Sequence, residues 1–101
     1  MVRHIIIWSL REDLSEQEKT NALIKAKRGL EGLKGRIDGL ESIKVHIDNL
    51  ESSNADMMLD SSFTDEAALK AYQTNPDHLE VAKFIRSVVS DRKCIDYAEN
   101  L

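Results

Sequence analysis

Between Val2 and Leu10 the chain is β-branched and aromatic, which predicts a strand. Alternation at period two sets His4, Ile6, Trp8 and Leu10 on one face and Arg3, Ile5, Ile7 and Ser9 on the other. Both faces are apolar at their middle, so both need cover. The period then changes. Ser15-Glu16-Gln17-Glu18 is a capping box. Leu23, Ala26, Leu30, Leu33 and Ile37 follow at steps of three and four, the stripe of an amphipathic helix running to about Leu33. Lys19, Lys25, Lys27, Arg28 and Lys34 fall elsewhere and read as a solvated face. Gly32, Gly35 and Gly39 mark the way out of the helix, without the spacing of a phosphate loop.

Alternation returns over residues 42–48, with Ile43, Val45 and Ile47 opposed to Lys44, His46 and Asp48. A polar loop covers 49–55. A third strand over 56–63 sets Met57, Leu59, Ser61 and Phe63 on one face. Thr64-Asp65-Glu66 starts a short helix that runs through Tyr72. Asn75 is suited to cap a further helix, and Pro76, the only proline, to its first position, where the missing N–H is not needed. That helix carries Leu79, Ala82, Ile85, Val88 and Val89 inward and ends near Ser90. A last strand over 93–98 opposes Ile95 and Tyr97 to Cys94 and Asp96.

The order is strand, helix, strand, strand, split helix, strand. Two βαβ-like halves sharing one sheet make an α+β, ferredoxin-like protomer: a four-stranded antiparallel sheet with its helices on one face. One domain over residues 1–101 is expected. The other sheet face is left bare. An apolar patch of that kind calls for a partner, and a homodimer packed sheet to sheet is the economical one.

Composition narrows the partners. The formal charge is −4 and no basic tract occurs, which argues against nucleic acid and anionic membranes. The longest apolar run, Ile5-Ile6-Ile7-Trp8, is far too short to span a bilayer. A strand follows the first residue at once, so no signal peptide is read. The single cysteine, Cys94, excludes an internal disulfide and suits a reducing compartment, so a cytoplasmic location is expected. Its plainer role is that of a small buried strand residue.

The corner from Ala71 to His78 carries the candidate chemistry. Tyr72 ends one helix, and His78 stands at the third position of the next, where the dipole disfavours imidazolium. A neutral imidazole there can act as a general base. His78 and Tyr72 are therefore the candidate catalytic pair. His4, Ile6, Trp8, Met57, Leu59 and Asp96 are the candidate ligand-binding residues, in a pocket between sheet and helices. Asp96 can orient a histidine. Each of these residues also has a plainer role: Tyr72 and Trp8 as core, His4 as a satisfied buried histidine, His78 as a fixer of the turn, Asp96 as a strand-edge hydrogen bonder. His46, beside Lys44 and Asp48, reads as a surface or interface residue. No HxH or HExxH spacing is present, so neither a metal nor a cofactor is expected. Haem, the weakest option, requires His78 or His4 as iron ligand.

Taken together, these segments resemble the stress-responsive A/B barrel (Dabb) domain. The resemblance rests on His4-Ile5-Ile6-Ile7-Trp8, on Ile37-Asp38-Gly39-Leu40-Glu41-Ser42-Ile43, and on Phe63-Thr64-Asp65-Glu66-Ala67-Ala68-Leu69-Lys70-Ala71-Tyr72-Gln73. Asn75-Pro76-Asp77-His78, Val89-Ser90-Asp91-Arg92 and Asp96-Tyr97 complete it. It implies a ferredoxin-like protomer whose homodimer forms an α/β barrel, with no assigned activity in most members. In the polyketide cyclase-like members it implies chemistry at the positions of Tyr72 and His78, supported by His4 and Asp96. Met57 stands where that subgroup has a histidine, and Asn75 replaces the histidine that usually precedes the proline. The expectation is a homodimeric domain binding a small apolar ligand, with a cofactor-independent cyclase-like enzyme as the alternative.

Overall fold

The computed structural model describes residues 1–100. Strand β1 (Val2–Leu10) leads through helix α1 (Glu16–Glu31) to β2 (Leu40–His46) and β3 (Met57–Phe63). Helices α2 (Glu66–Thr74) and α3 (Pro76–Val88) follow, and β4 (Val89–Ala98) closes the chain. The sheet order is β2-β3-β1-β4, every neighbouring pair antiparallel. This is the expected ferredoxin-like α+β layout. No helix among the described residues is long and apolar enough to cross a membrane.

The alternation in β1 sorts its side chains as expected. His4, Ile6, Trp8 and Leu10 are buried, whereas Arg3, Ile5, Ile7 and Ser9 are half-buried or exposed. Register then builds layers across the sheet. His4 lies between Ser61 and Asp96, Ile6 between Leu59 and Cys94, and Trp8 between Met57 and Arg92. Ser61 locks the first layer by donating its Oγ hydrogen to the His4 carbonyl at 2.8 Å. Ile6, Trp8, Leu30, Leu33, Leu59 and Phe63 form the centre of the core. Burying each such side chain contributes about 1.5–3 kcal/mol. On the opposite face Ile7, Ile95 and Tyr97 remain exposed, with Ile95 at 66% and Tyr97 at 46%.

The helix ends follow local chemistry. Ser15 and Glu18 form the expected capping box of α1. The helix stops at Glu31, yet Leu33 and Ile37 stay buried because the apolar stripe continues through the turn. Gly39 has φ +81°, and a Cβ on it would come within 2.5 Å of the Ala68 Cβ. Glycine there allows both the left-handed turn and the close approach of α2.

Four expectations need correction. β2 begins at Leu40 and ends at His46, because a bulge between Leu40 and Ser42 extends its pairing with β3. Its Ile47 and Asp48 lie beyond the strand. β4 begins at Val89, directly after α3, not at residue 93. Val89 is already extended, and Leu10 pairs with it. Leu79 is 45% exposed rather than inward. At about 100° per residue it lies nearly opposite Val81, which packs against α1. Lys27 is not simply solvated: its ammonium donates to the Val45 carbonyl and to Glu31, both at 2.7 Å.

Candidate functional site

The turn between α2 and α3 is built by Asn75. Its backbone is extended (φ −65°, ψ 131°), and its side chain accepts from the Asp77 N–H at 2.9 Å. Pro76 takes the first helical position. The turn folds His78 back onto Tyr72, the ring centres 4.2 Å apart and tilted by 43°. Phe63 closes the other side of Tyr72 at 4.9 Å, and the His4 ring meets it edge-on at 6.1 Å.

Two polar atoms at this corner are buried without a hydrogen-bond partner among the described residues: the Tyr72 hydroxyl and His78 Nδ1. An orphaned buried polar atom costs about 1–3 kcal/mol. Burial pushes the Tyr72 phenol above its usual range. Burial likewise lowers the His78 imidazole, opposed by the Gln73 backbone and reinforced by the charges of His4, Arg86 and Arg92. His78 is thus a neutral base near pH 7.

Beside these atoms lies a cavity of about 210 Å³. Ile6, Trp8 and Leu59 supply its sheet wall, Leu30 comes from α1, and Ala82 and Ile85 come from α3. Tyr72 and His78 supply its polar part. Arg86 and Arg92 also line it, both exposed and neither paired with a carboxylate among the described residues. Such a volume falls below the roughly 300–1,000 Å³ of drug-sized ligand sites.

The other candidate residues lie nearby, outside the cavity lining. Met57 is buried in the core across from Trp8 on the neighbouring strand and lines a separate depression with Ile7 and His46. His4 sits behind Tyr72, only 2% exposed, with Nδ1 2.5 Å from the Asp96 carboxylate. Asp96 opens onto a second groove of about 310 Å³ between α2 and β4. Cys94, expected to be buried, is exposed. Its sulfur lies 3.9 Å from His4 Nδ1 and 3.5 Å from Asp96. Burial and the Asp96 charge hold its thiol above the usual value.

Sequence reading passed over Arg86 and Arg92. Two signals point to them. Arg86 follows His78 and Ala82 at steps of four on α3, one helix face. Arg92 shares the alternation of Cys94 and Asp96 and pairs with Trp8.

Known proteins share this fold. A protein from Bacteroides fragilis, described as dimeric, of unknown function and of ferredoxin-like fold, superposes with a TM-score of 0.90 at 28% identity, covering 95% of this chain and 93% of that one. A Dabb family protein of ferredoxin-like fold from Mesorhizobium loti superposes with a TM-score of 0.74 at 23% identity, over 98% of this chain and 96% of that one. Hydroxynitrile lyase from Passiflora edulis gives a TM-score of 0.74 at 19% identity, over 98% and 93%. At those last two identities the likeness concerns the fold alone. A search among curated proteins gives no match. The profile of the Stress responsive A/B Barrel Domain matches residues 2–99, nearly the whole described chain. By that match, which spans its whole sheet and all three helices, the chain belongs to the stress-responsive A/B barrel (Dabb) family.

Proposed function

We propose that this chain is a homodimeric domain that binds one compact, largely apolar molecule between its sheet and α3. The observation that carries this reading is the pair of orphaned polar atoms, the Tyr72 hydroxyl and His78 Nδ1, beside an apolar-walled cavity of about 210 Å³. A ligand offering one donor and one acceptor relieves both. An engineered apolar cavity of about 150 Å³ admits benzene, so this volume suits a single substituted ring. Arg86 and Arg92 favour a ligand with an acidic group at its outer end. Dimerisation is supported by the exposed Ile7, Ile95 and Tyr97 on the bare sheet face and by the dimeric relative from Bacteroides fragilis.

The second reading is a cofactor-independent enzyme of the polyketide cyclase type, or a related small-molecule enzyme. What favours it is the lowered His78, a base of suitable protonation stacked on a phenol. His78 takes a proton from a carbon acid, and the Tyr72 hydroxyl donates to the oxygen on which charge develops. The His4–Asp96 pair stands behind the phenol and fixes its surroundings.

One experiment covers both readings. A panel of small phenols and aromatic acids is screened by thermal shift, and the hits are assayed for turnover. Tyr72→Phe and His78→Gln are expected to weaken binding about tenfold each, the loss of one hydrogen bond to a buried group. Hits whose affinity ignores both substitutions sink the pocket reading. Binding without turnover leaves the binding role and removes the enzyme. Sedimentation of the same samples as an 11.5 kDa monomer at micromolar concentration removes the dimer.

A further inference from the structure

The end of the sheet beyond Tyr72 holds a group of side chains outside the lining of the proposed ligand cavity. Asp96 stands directly across from His4 in the antiparallel register, and Cys94 stands across from Ile6, two residues along on the same face. His4 Nδ1, Cys94 Sγ and an Asp96 carboxylate oxygen all lie within 4.8 Å of one another. One nitrogen, one sulfur and one oxygen donor thus converge from two strands. We propose that His4, Cys94 and Asp96 form a binding site for a divalent transition ion of the zinc class, with its fourth position open.

Geometry supports the assignment first. Tetrahedral zinc, with bonds of about 2.0–2.3 Å, sets its ligand atoms about 3.3–3.6 Å apart. The sulfur already stands 3.5 Å from Asp96 and 3.9 Å from His4 Nδ1. Only the 2.5 Å separation between Nδ1 and the carboxylate is too short, because the two atoms share a hydrogen bond. An ion in place of that hydrogen bond pushes the two atoms apart by about 1 Å, well within reach of an exposed aspartate side chain. His4 is held rigidly by the buried sheet, while Cys94 and Asp96 lie on the uncovered edge strand and are free to adjust.

Donor chemistry selects the ion. A thiolate with an imidazole suits zinc and its neighbours and disfavours magnesium and calcium, which take oxygen. Electrostatics point the same way. A thiolate beside the Asp96 carboxylate is a repulsive pair, and a dication between them turns that repulsion into attraction. Access is provided by the groove between α2 and β4, where Asp96 forms part of the wall with Val2, Leu69 and Gln73. Water or another small donor reaches the fourth position from there, the pattern of zinc sites that keep one position open.

No local motif announces the site, since His4 and Cys94 are 90 residues apart in the chain. The test uses the full chain after removal of adventitious metal with a chelator. Cobalt(II) is titrated and followed by its thiolate charge-transfer absorption, then zinc(II) by calorimetry. The expected result is one ion per chain, with the charge-transfer band lost in Cys94→Ser. Even outer partners of metal ligands are worth about 10–100-fold in affinity, so Cys94→Ser and Asp96→Asn are each expected to weaken zinc at least tenfold. Both residues are exposed, so neither substitution removes core packing. His46→Ala, which alters an exposed histidine on β2, leaves the affinity unchanged. No uptake of either ion, or uptake that survives both Cys94→Ser and Asp96→Asn, overturns the proposal.

Discussion

The sheet has two edges, and they are treated differently. At the β2 edge the outward-pointing backbone of Val45 is fully paired: its N–H donates to the Glu31 carboxylate at 2.9 Å, and its carbonyl accepts from Lys27 at 2.7 Å. Helix α1 thereby clamps that edge at Val45, which is completely buried. At the β4 edge nothing comparable occurs. From Ser90 to Ala98 every residue is exposed, including Arg92, Cys94 and Asp96, which lie on the helix side of the sheet. Edge strands invite unwanted pairing and are usually covered or charged. One edge is closed by structure, whereas the other carries the charge and the donor atoms. The difference separates what holds the fold from what is available to a ligand.

The largest effect that tests this contrast belongs to Glu31→Ala. It strands the Val45 N–H at a buried position and leaves Lys27 without its carboxylate. Leaving a buried donor unpaired costs about 1–3 kcal/mol, so a loss near ~2 kcal/mol is expected in urea unfolding, with the slope unchanged. Lys27 and Val45 together hold the Glu31 carboxyl below its usual range, against the burial that pushes it up. A Glu31→Ala variant within about 0.5 kcal/mol of the parent would mean that the clamp is ornamental and that the two edges do not differ.

A smaller effect separates the cavity from both edges. His78 has its folded pKa depressed, chiefly by burial. As pH falls, the unfolded chain takes up the proton before the folded one does. The contribution of neutral His78 is therefore fully present above its ordinary value of 6.5 and is lost as pH falls through that value toward the folded one. Melting temperatures of parent and His78→Gln are to be compared from about pH 7.5 down to about pH 5. The parent is expected to lose ground to the variant on the acid side. A difference that stays flat would show an imidazole in free contact with water, and the case for a neutral base at the cavity would go with it.

How much of this was legible beforehand depends on how locally each feature is encoded. Alternation in β1 correctly assigned His4, Ile6, Trp8 and Leu10 to the core, because that strand is covered on one face and pairs on both sides. The capping box and the Asn75-Pro76 turn were legible because caps are satisfied within a few residues. The start of β4 was not. The stretch between the helix end expected near Ser90 and the strand expected from Lys93 gave no strand signal, because an uncovered edge strand has no apolar face to show. Lys27 looked solvated because its partner strand lies 18 residues away. Tyr72 and His78 could be singled out as candidates because one turn carries both. The placement of Arg86 and Arg92 at the cavity, and of Cys94 beside His4, was not legible because only strand register and helix packing create it.

The smallest expected effect is the most discriminating. Cys94 pairs across from Ile6 in the middle of β4, where a cysteine would ordinarily be a small core residue. Here it is exposed, so its sulfur adds little apolar burial, and its contacts with Asp96 and His4 at 3.5 and 3.9 Å are weak hydrogen bonds at best. Cys94→Ser keeps the size and a donor while removing the soft ligand atom. Surface substitutions of this kind usually stay within about 0.5 kcal/mol, and that is the expected change in metal-free unfolding free energy. A loss above about 1 kcal/mol in the absence of metal would make β4 a structural edge like β2. A neutral result under those conditions, beside the loss from Glu31→Ala, leaves the β4 edge free of any duty to the fold. What Cys94 and Asp96 are placed to do must then be sought in what they bind.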